Sequence, residues 1–194
     1  MIKIEQNNST QNAYTELNNL KTTNAAYAFG SIKFIEQTIR KDFAASGTKV
    51  SQKLDDEIKQ AVMHAHRVTA DHDWKNFKTT NTAYDSGSIK FIEQTIRENC
   101  AAGGVTIDEN FDKEIKQAVA RAHGVSAEKG LSNFETTTAA YGAGGIKHID
   151  ETIRQHFVAN GTEVTATGKL PDPIEARLNA ATARARKLSG LHAA

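Results

Sequence analysis

The sequence predicts an all-α chain of three tandem two-helix repeats of about 57 residues, and three observations carry that expectation. The run Gly30-Ser31-Ile32-Lys33-Phe34-Ile35-Glu36-Gln37-Thr38-Ile39-Arg40 recurs unchanged from Gly87 to Arg97 and in degraded form from Gly144 to Arg154. Apolar residues within it fall at helical spacing. The 194 residues include only two prolines, set among abundant Ala, Glu, Lys and Gln, which suits helices throughout. A fixed period of this kind marks a repeat architecture, either a short solenoid or a closed six-helix bundle.

Residues 1–16 stand outside the repeats and are rich in Asn, Gln, Ser and Thr, so they read as a flexible polar leader. The first repeat spans 17–73, the second 74–130, and a divergent C-terminal capping repeat 131–194. About 32 of the 57 positions of the first two repeats are identical, which either recent duplication or selection on a surface used several times would produce. Within the first repeat Ile32, Ile35, Ile39 and Phe43 share one helical stripe. Thr22, Thr79 and Thr136 lie upstream as candidate N-caps, although the helix could instead run through them from near Leu17. Gly47, Gly104 and Gly161 end it.

A second helix starts near Ser51 or Asp108, with Thr106 and Glu109 spaced as a capping box. Its buried face is Leu54, Ile58, Ala61, Val62, Ala65 and Val68. Trp74 and Phe77, or Leu131 and Phe134, then open the next unit. In the third repeat the second helix matches only after about six inserted residues, which the stretch from Thr165 to Pro173 supplies as a longer loop. Tyr27, Gly30 and Phe34 form a second stripe on the first helix, one that a neighbouring repeat would cover. His148 replaces Phe34 and Phe91 there, as in a capping repeat.

Composition narrows the function classes. Lys and Arg number 24 against 23 Asp and Glu, so net charge gives no blanket attraction to nucleic acid or anionic lipid. No apolar run is long enough for a membrane span or the core of a secretory signal. The single cysteine, Cys100, stands where the other repeats have Phe43 and Phe157 and reads as a small core residue. No phosphate-binding glycine loop, zinc-protease motif or serine elbow is present, so the chain reads as non-enzymatic, with no cofactor.

Three sets of residues are candidates for function. The foremost is a surface stripe repeated in every copy: Lys33, Glu36 and Arg40; Lys90, Glu93 and Arg97; Lys147, Asp150 and Arg154. It could dock an acidic partner, or it could be a solvated helix edge held by i, i+4 ion pairs. The second set, Tyr27, Tyr84, Tyr141, His66 and His123, could line a small-ligand or metal site between repeats. His64 and His66 point about 160° apart on a helix and cannot share a metal, so no metal ligand is assigned. Third, the last helix carries Arg177, Arg184, Arg186 and Lys187 with no acid from Ala176 onward. That end could touch phosphate, yet it lacks interleaved aromatics for stacking bases.

Duplication multiplies a surface more readily than a reaction centre, and linked copies raise avidity. The expected function is therefore a protein–protein binding or scaffolding module whose partner is another protein. The second reading is a small-ligand or metal-binding protein, and nucleic-acid binding through the basic last helix ranks lowest. The polar leader would suit a bacterial effector exported without a cleaved signal peptide, and a cytoplasmic protein equally.

Overall fold

The computed structural model describes residues 2–191, with side chains from Asn8 onward. All its elements are helices: α1 (Ile2–Thr22), α2 (Ser31–Ala45), α3 (Gln52–Thr79), α4 (Ser86–Ala102), α5 (Glu109–Thr136), α6 (Ala143–Ala159) and α7 (Asp172–Leu188). The stripe in α2 behaves as its spacing predicts, with Ile32, Ile39 and Phe43 buried. Among the described residues no helix is long and apolar enough to cross a membrane.

The predicted glycine stops hold. After α2, Gly47 adopts φ 74° and the Thr48 N–H donates to the Phe43 carbonyl at 3.0 Å. That bond satisfies a carbonyl the helix itself leaves open, and only glycine enters this conformation without steric cost. The starts of α3 and α5 are set by side-chain oxygens. Ser51 Oγ accepts from the Leu54 N–H at 3.3 Å at the head of α3, and Asp108 Oδ1 accepts from the Phe111 N–H at 2.8 Å at the head of α5. The cap of α5 is thus Asp108 and not Thr106, because the carboxylate directly before the first turn reaches its open N–H groups.

Three further expectations are corrected. Residues 8–16 are not a flexible leader: they belong to α1, and Ala13 is fully buried with Leu17 and Leu20. Those three lie at i, i+4 and i+7, one helical face, which outweighs the polar composition around them. Residue 1 and the side chains of residues 2–7 lie outside the described part.

The boundaries at 73/74 and 130/131 also fall inside helices. α3 and α5 each run 28 residues, so Trp74, Phe77, Leu131 and Phe134 lie in the last two turns of a long helix, from which Leu131 and Phe134 enter the core of the next repeat with α6 and α7. Thr22 and Thr136 are last residues of helices, and their hydroxyls donate back to the Asn18 and Ser132 carbonyls.

Finally, the Tyr27, Gly30 and Phe34 stripe is no helix face. Tyr27 precedes α2, Gly30 is its N-cap at φ 79°, and Phe34 stands 70% exposed.

The chain divides into two units, Met1–Asn76 with Ile92–Asp112, and Phe77–Phe91 with Lys113–Ala194. The first has a core of Ala13, Leu17 and Leu20 from α1, Ile32, Ile39 and Phe43 from α2, and Ile58, Ala61 and Ala65 from α3. In the second, Ala127, Leu131 and Phe134 from α5 meet Ile146, Ile153 and Phe157 from α6 and Leu178, Ala181 and Ala185 from α7. Leu170, in the longer loop before α7, joins that second core. Burying each large apolar side chain contributes about 1.5–3 kcal/mol.

Candidate binding surface

The short helices α2, α4 and α6 carry the repeated stripe, and in each copy its three charges have distinct environments. The lysines Lys33, Lys90 and Lys147 are exposed. The arginines are not available in the same way. Arg40 donates to Glu36 at 2.9 Å, one turn back, and to Asp55 at 2.7 Å on α3. Arg97 pairs with Glu93 at 2.9 Å and with Asp112 at 2.7 Å, and Arg154 with Asp150 at 2.7 Å. Arg154 also grips both carboxylate oxygens of Glu175, at 2.7 and 2.8 Å.

Each arginine thus clasps its short helix to the start of the helix that follows, α3, α5 or α7. These bonds raise the guanidinium pKa of Arg154, and Arg154 in turn holds the Glu175 carboxyl below its ordinary value. The Asp55 carboxyl is likewise lowered, by Lys59 and then by Arg40.

Asp55, Asp112 and Glu175 escaped the sequence reading, although a signal existed. The acid follows its arginine by fifteen residues in the first copy and by twenty-one in the third, the difference being the six-residue insertion.

Of the tyrosine and histidine set, Tyr27 and His66 border one groove in the first unit. The backbone N–H groups of Tyr27, Tyr84 and Tyr141 donate to Thr69 Oγ1 at 3.1 Å, Ser126 Oγ at 2.9 Å and Ser189 Oγ at 2.9 Å. Each of those hydroxyls donates in turn to the carbonyl four residues back, Ala65, Ala122 or Ala185. This two-way bond pins the non-helical segment before each short helix, satisfying a backbone donor that would otherwise be costly to bury. The Tyr84 and Tyr141 hydroxyls sit 3.4 and 3.2 Å from Thr80 and Thr137.

His66 Nδ1 lies 2.7 Å from Asn99 Oδ1, and His123 Nδ1 lies 2.8 Å from His156 Nδ1. His64 Nε2 donates to the Thr23 carbonyl at 3.0 Å. Among the described residues no group of three or more His, Cys, Asp or Glu is placed to hold a metal ion.

In the first unit Tyr27, Phe29, Lys33, Glu36, His66 and Asn99 border a groove of about 380 Å³. Phe29 is 63% exposed beside it. On the neighbouring helix surface Phe34 adds apolar area next to Lys33, and Phe91, the same position of α4, is 51% exposed next to Lys90. The third copy presents exposed His148 next to Lys147. The basic last helix is partly spent within the chain. Arg177 binds Glu135 at 2.8 and 2.9 Å and Glu128 at 3.2 Å, and Arg184 donates to the Glu135 carbonyl, whereas Arg186 and Lys187 are exposed. Scans of family models, curated proteins and solved structures give no match to the chain.

Proposed function

We propose that this chain is a non-enzymatic protein-binding module built from three tandem two-helix repeats, and that it docks an acidic protein surface bearing apolar side chains. The observation that carries this reading is the exposure of Phe34 and Phe91, 70% and 51%, each beside an exposed lysine on an identical eleven-residue segment. A large aromatic in water costs free energy that a partner recovers by covering it, and the adjoining ammonium selects partners with carboxylates.

The arginines of the stripe serve the hairpins instead. The docking set is therefore Lys33 with Phe34, Lys90 with Phe91, and, more weakly, Lys147 with His148. Copies joined in one chain raise the effective concentration of the later contacts once the first has formed.

The test is affinity capture with the wild-type chain beside two variants, Lys33→Glu/Lys90→Glu/Lys147→Glu and Phe34→Ser/Phe91→Ser, each matched by circular dichroism. The expected result is a partner retained by wild type at low salt, released as salt rises, and lost from both folded variants. A partner held equally by all three proteins would refute the assignment of this surface.

A further inference from the structure

The polar seam between a long helix and the next short helix differs between the two units at equivalent positions. In the first unit His66 of α3 meets Asn99 of α4; in the second, His123 of α5 meets His156 of α6. An imidazole beside an amide oxygen tolerates protonation, because its Nδ1–H donates to Asn99 Oδ1 whether or not Nε2 also carries a proton. Two imidazoles joined Nδ1 to Nδ1 do not. One nitrogen must donate and the other must accept, so the bond exists only while at least one ring is neutral.

We propose that the His123–His156 contact is an acid-sensitive latch that holds α6 against α5 at neutral pH and releases it when both rings become protonated. Both side chains are buried, 9% and 3% exposed, with ring centroids 5.0 Å apart. Two imidazolium ions there would meet no water and face each other at hydrogen-bonding distance.

The charged group acting on His156 from the head of α4 is Asp85, which favours the imidazolium. Its carboxylate is already committed to the Ser88 N–H at 2.8 Å and the Ser88 hydroxyl at 2.6 Å. From α5, His123 itself opposes a second positive charge, and the Asn160 side chain against Gly124 is uncharged.

Burial holds both rings below the ordinary imidazole value of 6.5. A group depressed in this direction gives its full stabilisation above that value. The released state takes up protons first as pH falls below it, so the latch weakens from there downward.

The test is amide hydrogen exchange of α6 at pH 7.5 and pH 5.0, corrected for intrinsic rates, with α2 as internal reference. In the wild-type chain α6 protection relative to α2 should fall by about tenfold or more on acidification, a unit of pKa shift being about tenfold in the equilibrium. In His156→Asn, which copies the His66–Asn99 seam, the fall should be under about threefold. Equal losses in both proteins, or none in wild type, would overturn the latch. Should His156→Asn fail to fold, imidazole titration of the wild-type chain by NMR decides: coupled titration of His123 and His156 below 6.5 supports it, and two independent ordinary titrations refute it.

Discussion

The two units fill their cores from equivalent positions. Ala13, Leu17 and Leu20 in the first correspond, two repeats on, to Ala127, Leu131 and Phe134 in the second, and Ile32, Ile39 and Phe43 to Ile146, Ile153 and Phe157. The third side of each core, Ile58, Ala61 and Ala65 against Leu178, Ala181 and Ala185, agrees once the inserted loop is allowed for. Divergence lies in the polar connections: an asparagine against a histidine in the seam, and a two-carboxylate clasp that becomes bidentate at Glu175. Apolar packing is non-directional and tolerates any residue of suitable volume. Hydrogen bonds and ion pairs depend on particular atoms, so they can distinguish copies that share one core.

The largest expected effect tests the core equivalence. Leu17→Ala and Leu131→Ala should each lower the unfolding free energy by about 2–5 kcal/mol in urea denaturation followed by circular dichroism. A negligible effect at Leu17 alone would remove α1 from the template.

Next come the hydroxyl pins. Thr69→Val, Ser126→Ala and Ser189→Ala each leave a tyrosine N–H without its acceptor, and each should cost about 1–2 kcal/mol. Similar losses at all three positions in the same denaturation assay would extend the equivalence to the backbone entering each short helix.

The clasps should differ. Arg154→Met should cost about 1 kcal/mol at pH 7, and Arg40→Met, whose pairs are single-bonded and more exposed, only a few tenths. Glu175 is held below its ordinary value of 4.5, chiefly by its bonds to Arg154. Its stabilisation is therefore present above that pH and lost as pH falls through the lowered value. Stability curves between pH 6 and pH 3 should show this component in wild type and lack it in Arg154→Met. Smallest of all, the triple lysine-to-glutamate variant should change stability by less than about 0.5 kcal/mol in urea denaturation, since these side chains are exposed.

Much of this was legible in the sequence. The period, the α2 stripe and the glycine stops each rest on local rules acting over a few residues, and local rules survive without a fold. The first helix was missed because the polar residues around Ala13 obscured a face whose other two members, Leu17 and Leu20, fell on the far side of an assumed boundary. The boundary at 73/74 follows from the 57-residue period alone, whereas nothing in Trp74 to Thr79 breaks a helix. Partners such as Asp55, Asn99 and His156 lie between 15 and 33 residues from the groups they bond. Their meaning depends on which helices lie side by side, which a single period does not specify.

The identity of residues 30–40 and 87–97 carries a consequence for how the chain reaches its folded state. Segments 30–40 and 87–97 offer the same apolar stripe, so a pairing shifted by one repeat would form nearly the same apolar contacts as the correct one. The residues that penalise the shift lie just beyond the identical run, where Phe43 of one copy is Cys100 in the next and Asp42 is Asn99.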